Sequence, residues 1–69
     1  MHIFYEIEIA EELPKLLKED IQDLESYYKG DDWLHYGLAL ELFEATVKSY
    51  CINGTISRET GLKLLEKYQ

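Results

Sequence analysis

The residues of this sequence best suited to chemistry are His35, Asp31 and Cys51. Asp31 precedes His35 by one helical turn in a segment that looks helical, so the two side chains could share a proton or a metal ion. Two ligands do not complete a metal site, and Cys51 lies among apolar residues with no basic neighbour that would favour a thiolate. We therefore predict no catalytic residue, no metal site and no cofactor, and hence no enzyme.

Residues 53–57, Asn-Gly-Thr-Ile-Ser, resemble the second half of a calcium-binding EF-hand loop. If Gly54 is the sixth position, then Ser49, Cys51 and Thr60 occupy the first, third and twelfth positions, where the last ligand should be a bidentate Glu. The calcium ligands are missing. The segment therefore predicts a connector between two helices, in which Ser57 caps the second.

The composition is that of a small acidic protein. Its 69 residues carry a net charge of -7 and are 46% hydrophobic, enough for one folded domain, residues 1–69. The negative charge opposes binding to nucleic acid and anionic membranes. The lone cysteine, the acidic amino terminus and the lack of an apolar run of ~18 residues predict a cytoplasmic protein without a signal peptide or membrane anchor.

Hydrophobic periodicity predicts an all-α fold of three helices, at about residues 11–28, 32–52 and 57–68. Pro14 is expected in the first turn of helix 1, Asp31 or Asp32 at the cap of helix 2, and Asn53-Gly54 at its end. The second helix is the longest and is expected to be central.

Residues 1–10 are predicted to form an extended or strand-like arm, because every second residue from Ile3 to Ile9 is Ile or Tyr, which places Ile3, Tyr5, Ile7 and Ile9 on one side of an extended chain. Some of these positions also fit helical spacing. Three outcomes therefore stay open: an arm packed on the helices, a strand added to a second chain, or a first turn of helix 1.

The predicted second helix is apolar on two sides. At about 100° per residue, one face collects Trp33, Tyr36, Leu40, Phe43, Val47, Tyr50 and Cys51. The nearly opposite face collects Leu34, Leu38, Leu42, Ala45 and Ile52. The first face is expected to meet helix 1, whereas the second can be covered by helix 3 or by a second copy of the protein.

The candidate interface residues are Leu34, Leu38, Leu42 and Ile52 on that second face, with Tyr27, Tyr28, Trp33 and Tyr36 around the Gly30 turn. Tyr and Trp are favoured at the centres of interfaces. These residues predict a non-enzymatic interaction module that self-associates, most simply as a homodimer.

Residues 45–68 are similar to the Gly-x-Ile-Ser/Thr helical hairpins of short bacterial modules, including the short C-terminal (SHOCT) type domains. The resemblance rests on Gly54, Ile56, Ser57 and the apolar helix that follows. It implies interaction or oligomerisation without chemistry.

Two alternatives stay open. The acidic charge also suits an inhibitor or antitoxin-like protein that binds a basic partner, with Asp20, Asp23, Asp31, Asp32, Glu41 and Glu44 as candidate contacts. Residues 57–60 resemble the start of the recognition helix in catabolite-activator-type regulators, which would imply helix-turn-helix DNA binding. The three cations of that helix, Arg58, Lys63 and Lys67, are offset by Glu59 and Glu66, so DNA binding is the less favoured alternative.

Overall fold

Three helices build the protein. The computed structural model describes residues 2–69 and contains α1 (Lys15–Lys29), α2 (Trp33–Ile52) and α3 (Arg58–Lys67). Within those residues, β-structure is limited to one isolated bridge between Ile3 and Tyr68. The prediction of an all-α, three-helix fold is confirmed.

The first helix begins later than the sequence predicts. Helix α1 starts at Lys15, and Pro14 is its N-cap, with an extended backbone at φ -58° and ψ 152°. A proline disfavours the helical conformation in the residue before it, so Leu13 does not continue the helix backwards. The predicted helical residues 11–14 are therefore outside α1, and that part of the prediction is wrong.

The start of α2 depends on Asp32. Its carboxylate accepts a hydrogen bond from the His35 N–H at 3.2 Å, while Asp31 takes a left-handed φ of 54° in the preceding turn. After α2 ends at Ile52, Gly54 adopts φ 80° and lets the chain reverse, as the Asn-Gly pair predicts.

Two side chains hold the start of α3. Ser57 Oγ accepts from the Thr60 N–H at 3.2 Å, which is the predicted cap. Glu11 accepts from the Ser57 N–H at 3.2 and 3.3 Å and from the Thr60 hydroxyl at 3.1 Å. These bonds, chiefly the one with Ser57, hold the pKa of Glu11 below its usual range despite partial burial. They also tie the segment before α1 to α3.

One side of α2 packs against both other helices. The core comprises Ile3, Leu17, Leu24, Tyr36, Phe43, Val47, Ile56, Leu64 and Tyr68. Where α3 crosses α2, a Cβ on Gly61 would overlap Cys51 Sγ, so the missing side chain permits the close approach. The core therefore joins all three helices to both ends of the chain.

Residues 2–4 pair with the last residues of the same chain. The His2 N–H donates to the Gln69 carbonyl at 2.7 Å, and the Gln69 N–H donates back at 2.9 Å. Ile3, which follows His2 and forms the isolated bridge with Tyr68, is 2% exposed. The chain then turns, with the Ile7 N–H donating to the Phe4 carbonyl at 3.1 Å. The predicted arm, residues 1–10, also includes Met1, which lies outside the described residues.

Candidate functional site

The outer face of α2 is open to solvent. We define it as Leu34, Leu38, Leu42 and Ile52 with Ala45 between them; the four large side chains are 72%, 54%, 72% and 87% exposed. Helices α1 and α3 lie on the opposite side, around the buried Phe43 and Val47. Helix α3 therefore does not cover the outer face, which removes one of the two coverings left open by the sequence.

Charged and polar residues flank the outer face. Glu41 and Lys48, both exposed, lie on one edge, whereas His35 and Thr46 lie on the other. The Thr46 hydroxyl donates to the Leu42 carbonyl at 3.0 Å, so its hydrogen bond is made within α2. From Leu34 to Ile52 the face extends about 27 Å along the helix axis.

A hollow of about 240 Å³ borders the outer face on the α1 side. It is lined by Asp20, Asp23, Tyr27, His35, Leu38, Ala39 and Leu42. Burial, together with the neighbouring carboxylates of Asp23 and Glu19, raises the pKa of Asp20. The hollow thus has an apolar side on α2 and an acidic wall on α1, which suits a cationic group with an aliphatic stem.

A second hollow, of about 310 Å³, lies between α2 and α3 at the Ile52 end. It is lined by Val47, Lys48, Cys51, Ile52, Arg58, Gly61, Leu62 and Leu65. Leu62 is 54% exposed. Because Leu62 and Ile52 line the same hollow, the apolar surface continues from the outer face onto α3.

Aromatic rings cluster around the Gly30 turn. The ring centroid of Tyr28 lies 5.6 Å from that of Trp33 and 5.9 Å from that of Tyr36. Tyr27 stacks on His35 with 5.4 Å between the ring centroids. Trp33 is partly exposed, and Tyr27 and Tyr28 are half-buried, so these three can contribute to a contact surface. Tyr36 is fully buried, so it belongs to the core and is not accessible as an interface residue.

Comparison with models of known families, with curated proteins and with solved structures found no match. Among residues 2–69, none of the helices combines the length and apolar character needed to cross a membrane.

The polar candidates act in local structure. Asp32, rather than Asp31, is the partner of His35, with 2.6 Å between Asp32 Oδ2 and His35 Nδ1. The His35 N–H lowers the pKa of the Asp32 carboxyl by donating to it. In the described part of the chain, no three His, Cys, Asp or Glu side chains are grouped to hold a metal ion.

The turn at residues 53–57 also uses its polar atoms locally. Asn53 Oδ1 accepts from the Thr55 N–H at 3.0 Å and from the Thr55 hydroxyl at 2.6 Å. On α3, Lys63 Nζ lies 3.4 Å from Glu59 Oε1, so one of its three cations is paired within the helix.

Two arrangements were missed in the sequence. The contact of Glu11 with Ser57 joins positions that no local pattern connects. The acidic wall beside Leu38 and Leu42 had a signal, because Asp20 and Asp23 are spaced to share one side of α1. The spacing alone does not show that Asp20 and Asp23 lie beside Leu38 and Leu42, because this depends on how α1 and α2 are placed relative to each other.

Proposed function

We propose that this protein is a non-enzymatic interaction module that self-associates through the outer face of α2, with α2 as its central helix. The observation that carries the proposal is the exposure of Leu34, Leu38, Leu42 and Ile52 in one stripe. The largest exposed apolar patch on a small monomer is often functional, and larger contiguous patches mark interaction sites. The resemblance of residues 45–68 to SHOCT-type hairpins points in the same direction.

The outer face is small for a protein–protein interface. A face about 27 Å long on a helix roughly 10 Å wide is smaller than the patches buried in standard stable complexes. Small interfaces of this kind bind transiently, so we expect a homodimer with a dissociation constant in the micromolar range. Self-association should therefore be sought at tens to hundreds of micromolar protein.

The test compares Leu38→Glu with the unmodified protein by sedimentation equilibrium and circular dichroism. Leu38 is more than half exposed, so the substitution should retain the helices of the monomer while it dissociates the dimer. Gln22→Glu is the matched control, because it adds the same charge at an exposed position of α1. The proposal is wrong if the unmodified protein is monomeric at several hundred micromolar, or if L38E still dimerises.

A second candidate function is that of an acidic protein that binds a basic partner. The hollow that places Asp20 and Asp23 beside Leu38 and Leu42 favours it, because lysine side chains offer both a cation and an apolar stem. An amphipathic Leu/Lys peptide should bind and change Trp33 fluorescence, and the double variant Asp20→Asn/Asp23→Asn should weaken binding. The control Glu66→Gln removes a charge from α3; an equal loss in that variant would reject the hollow as the binding site.

A further inference from the structure

We infer that two copies of the chain pair antiparallel through their outer faces, with the two Ala45 residues at the two-fold axis. This inference rests on the self-association proposed above. The positions of the charged residues beside the outer face support the antiparallel arrangement and specify the orientation and the register of the pair.

Symmetry determines which edges of two paired helices meet. When identical helices pair antiparallel about a two-fold axis, each edge of one helix meets the same edge of the other. A residue that lies a given number of positions before the axis then faces the residue that lies the same number of positions after it in the second copy. Glu41 and Lys48 are both exposed on one edge. Antiparallel pairing can therefore bring Glu41 of each copy next to Lys48 of the other, which forms two equivalent ion pairs.

The register also determines which apolar residues meet. Aligning Glu41 with Lys48 of the other copy places the axis between residues 44 and 45, next to Ala45, and Leu38 then lies within one residue of the level of Ile52 of the second copy. Ala45, exposed and small, comes to the crossing point and lets the backbones approach. The Leu34 end of one copy lies towards the exposed Ile52 and Leu62 of the other, so apolar side chains meet at both ends of the pair.

Charge disfavours the competing arrangements. An antiparallel register centred on Leu38 would bring together the acidic walls of both copies, because Asp23 lines the same hollow as Leu38. A parallel pair would set the Glu41 edge of one copy against the Asp20–Asp23 side of the other. Both alternatives oppose like charges, whereas the register centred near Ala45 places Glu41 of each copy level with Lys48 of the other.

Charge reversal tests the register. Glu41→Lys and Lys48→Glu should each weaken the dimer roughly tenfold at low ionic strength, because each replaces two attractions with two repulsions. The double variant E41K/K48E should restore the affinity of the unmodified protein to within about threefold. If the double variant is as weak as the single variants or weaker, Glu41 and Lys48 do not face each other and the register is wrong.

Disulfide crosslinking tests the axis without relying on charge. In a Cys51→Ala background, Ala45→Cys should form a disulfide-linked dimer under mild oxidation. Leu34→Cys should not, because its two copies would lie roughly 33 Å apart along the helices. Crosslinking of both variants would indicate a parallel pair and overturn the inference.

The two proposals can fail separately. A dimer in sedimentation without an A45C crosslink would overturn the antiparallel register and leave self-association standing. A protein that stays monomeric at several hundred micromolar, with its helices intact, would overturn both.

Discussion

The carboxylate of Glu11 accepts the backbone N–H of Ser57 through both oxygens, at 3.2 and 3.3 Å, although the two residues are 46 positions apart. Ser57 is the N-cap of α3, and its N–H belongs to the helix end that has no partner within the helix. A side chain from the segment before α1 therefore completes the cap of α3, and the two parts of the chain are fixed to each other.

Removing this carboxylate should destabilise the fold. We expect Glu11→Gln to lower the melting temperature, because an amide accepts less strongly than a carboxylate from the Ser57 N–H and the Thr60 hydroxyl. Glu8→Gln, at an exposed position of the same segment, is the matched control. Equal melting temperatures for the two variants would contradict a capping role for Glu11.

The same contact should make stability depend on acid. The pKa of Glu11 is lowered in the folded protein from its usual 4.5. Its contribution to the free energy of unfolding is therefore present above about pH 4.5 and is lost as the pH falls through the folded pKa. Urea unfolding between pH 6 and pH 3 should show a smaller loss of stability in E11Q than in the unmodified protein; parallel curves would count against this assignment.

The amino terminus should prove to be part of the core. Ile3 is 2% exposed, so Ile3→Ala should reduce the free energy of unfolding by about 2–5 kcal/mol. Ile52→Ala makes the same chemical change at a position that is 87% exposed and should cost less than about 0.5 kcal/mol in dilute, monomeric protein. Urea titrations of both variants measure the difference, and similar costs would show that residues 2–4 do not pack as described.

Tyr36 should tolerate the loss of its hydroxyl. The hydroxyl is buried without a hydrogen-bond partner, so Tyr36→Phe should leave stability unchanged or raise it by up to about 1 kcal/mol. Phe43→Ala is the contrasting control at a fully buried position and should cost about 3–5 kcal/mol. A loss above about 1 kcal/mol in Y36F would show that the hydroxyl makes a stabilising contact.

Alkaline solution should weaken the fold through the same residue. Burial raises the pKa of Tyr36 to about 12, above the unfolded value of about 10. Ionisation of Tyr36 therefore has no effect on stability below about pH 10 and destabilises the folded protein increasingly as the pH rises from there towards the folded pKa. Between pH 9 and pH 12, the free energy of unfolding should therefore fall less steeply with pH in Y36F than in the unmodified protein. Equal slopes would indicate that Tyr36 ionises without a penalty.

The crossing of α2 and α3 predicts coupling between Gly61 and Cys51. In the absence of a clash, Gly61→Ala should stabilise α3 by about 0.5–1 kcal/mol. In the unmodified protein this gain should be cancelled or reversed, because the new Cβ meets Cys51 Sγ. In a Cys51→Ala background the gain should appear. A double-mutant cycle from urea unfolding measures the coupling, and additive effects would contradict the close approach.

Local sequence signals determined much of this fold. Ser57, and either Asp31 or Asp32, could be predicted as caps because a cap contacts residues only two or three positions away; the structure assigns the second cap to Asp32. The two apolar sides of α2 followed from its periodicity. The start of α1 was predicted wrongly, because the helical spacing upstream of Pro14 competes with the restriction that proline places on Leu13.

Long-range packing decided the rest. Periodicity shows that α2 has two apolar sides, but only the placement of α1 and α3 shows that Phe43 is buried while Leu34, Leu38, Leu42 and Ile52 are exposed. The same packing buries Tyr36, which composition alone made an interface candidate, and brings Glu11 to Ser57. A sequence pattern describes each helix about its own axis, whereas contacts between distant positions depend on how the helices are arranged in space.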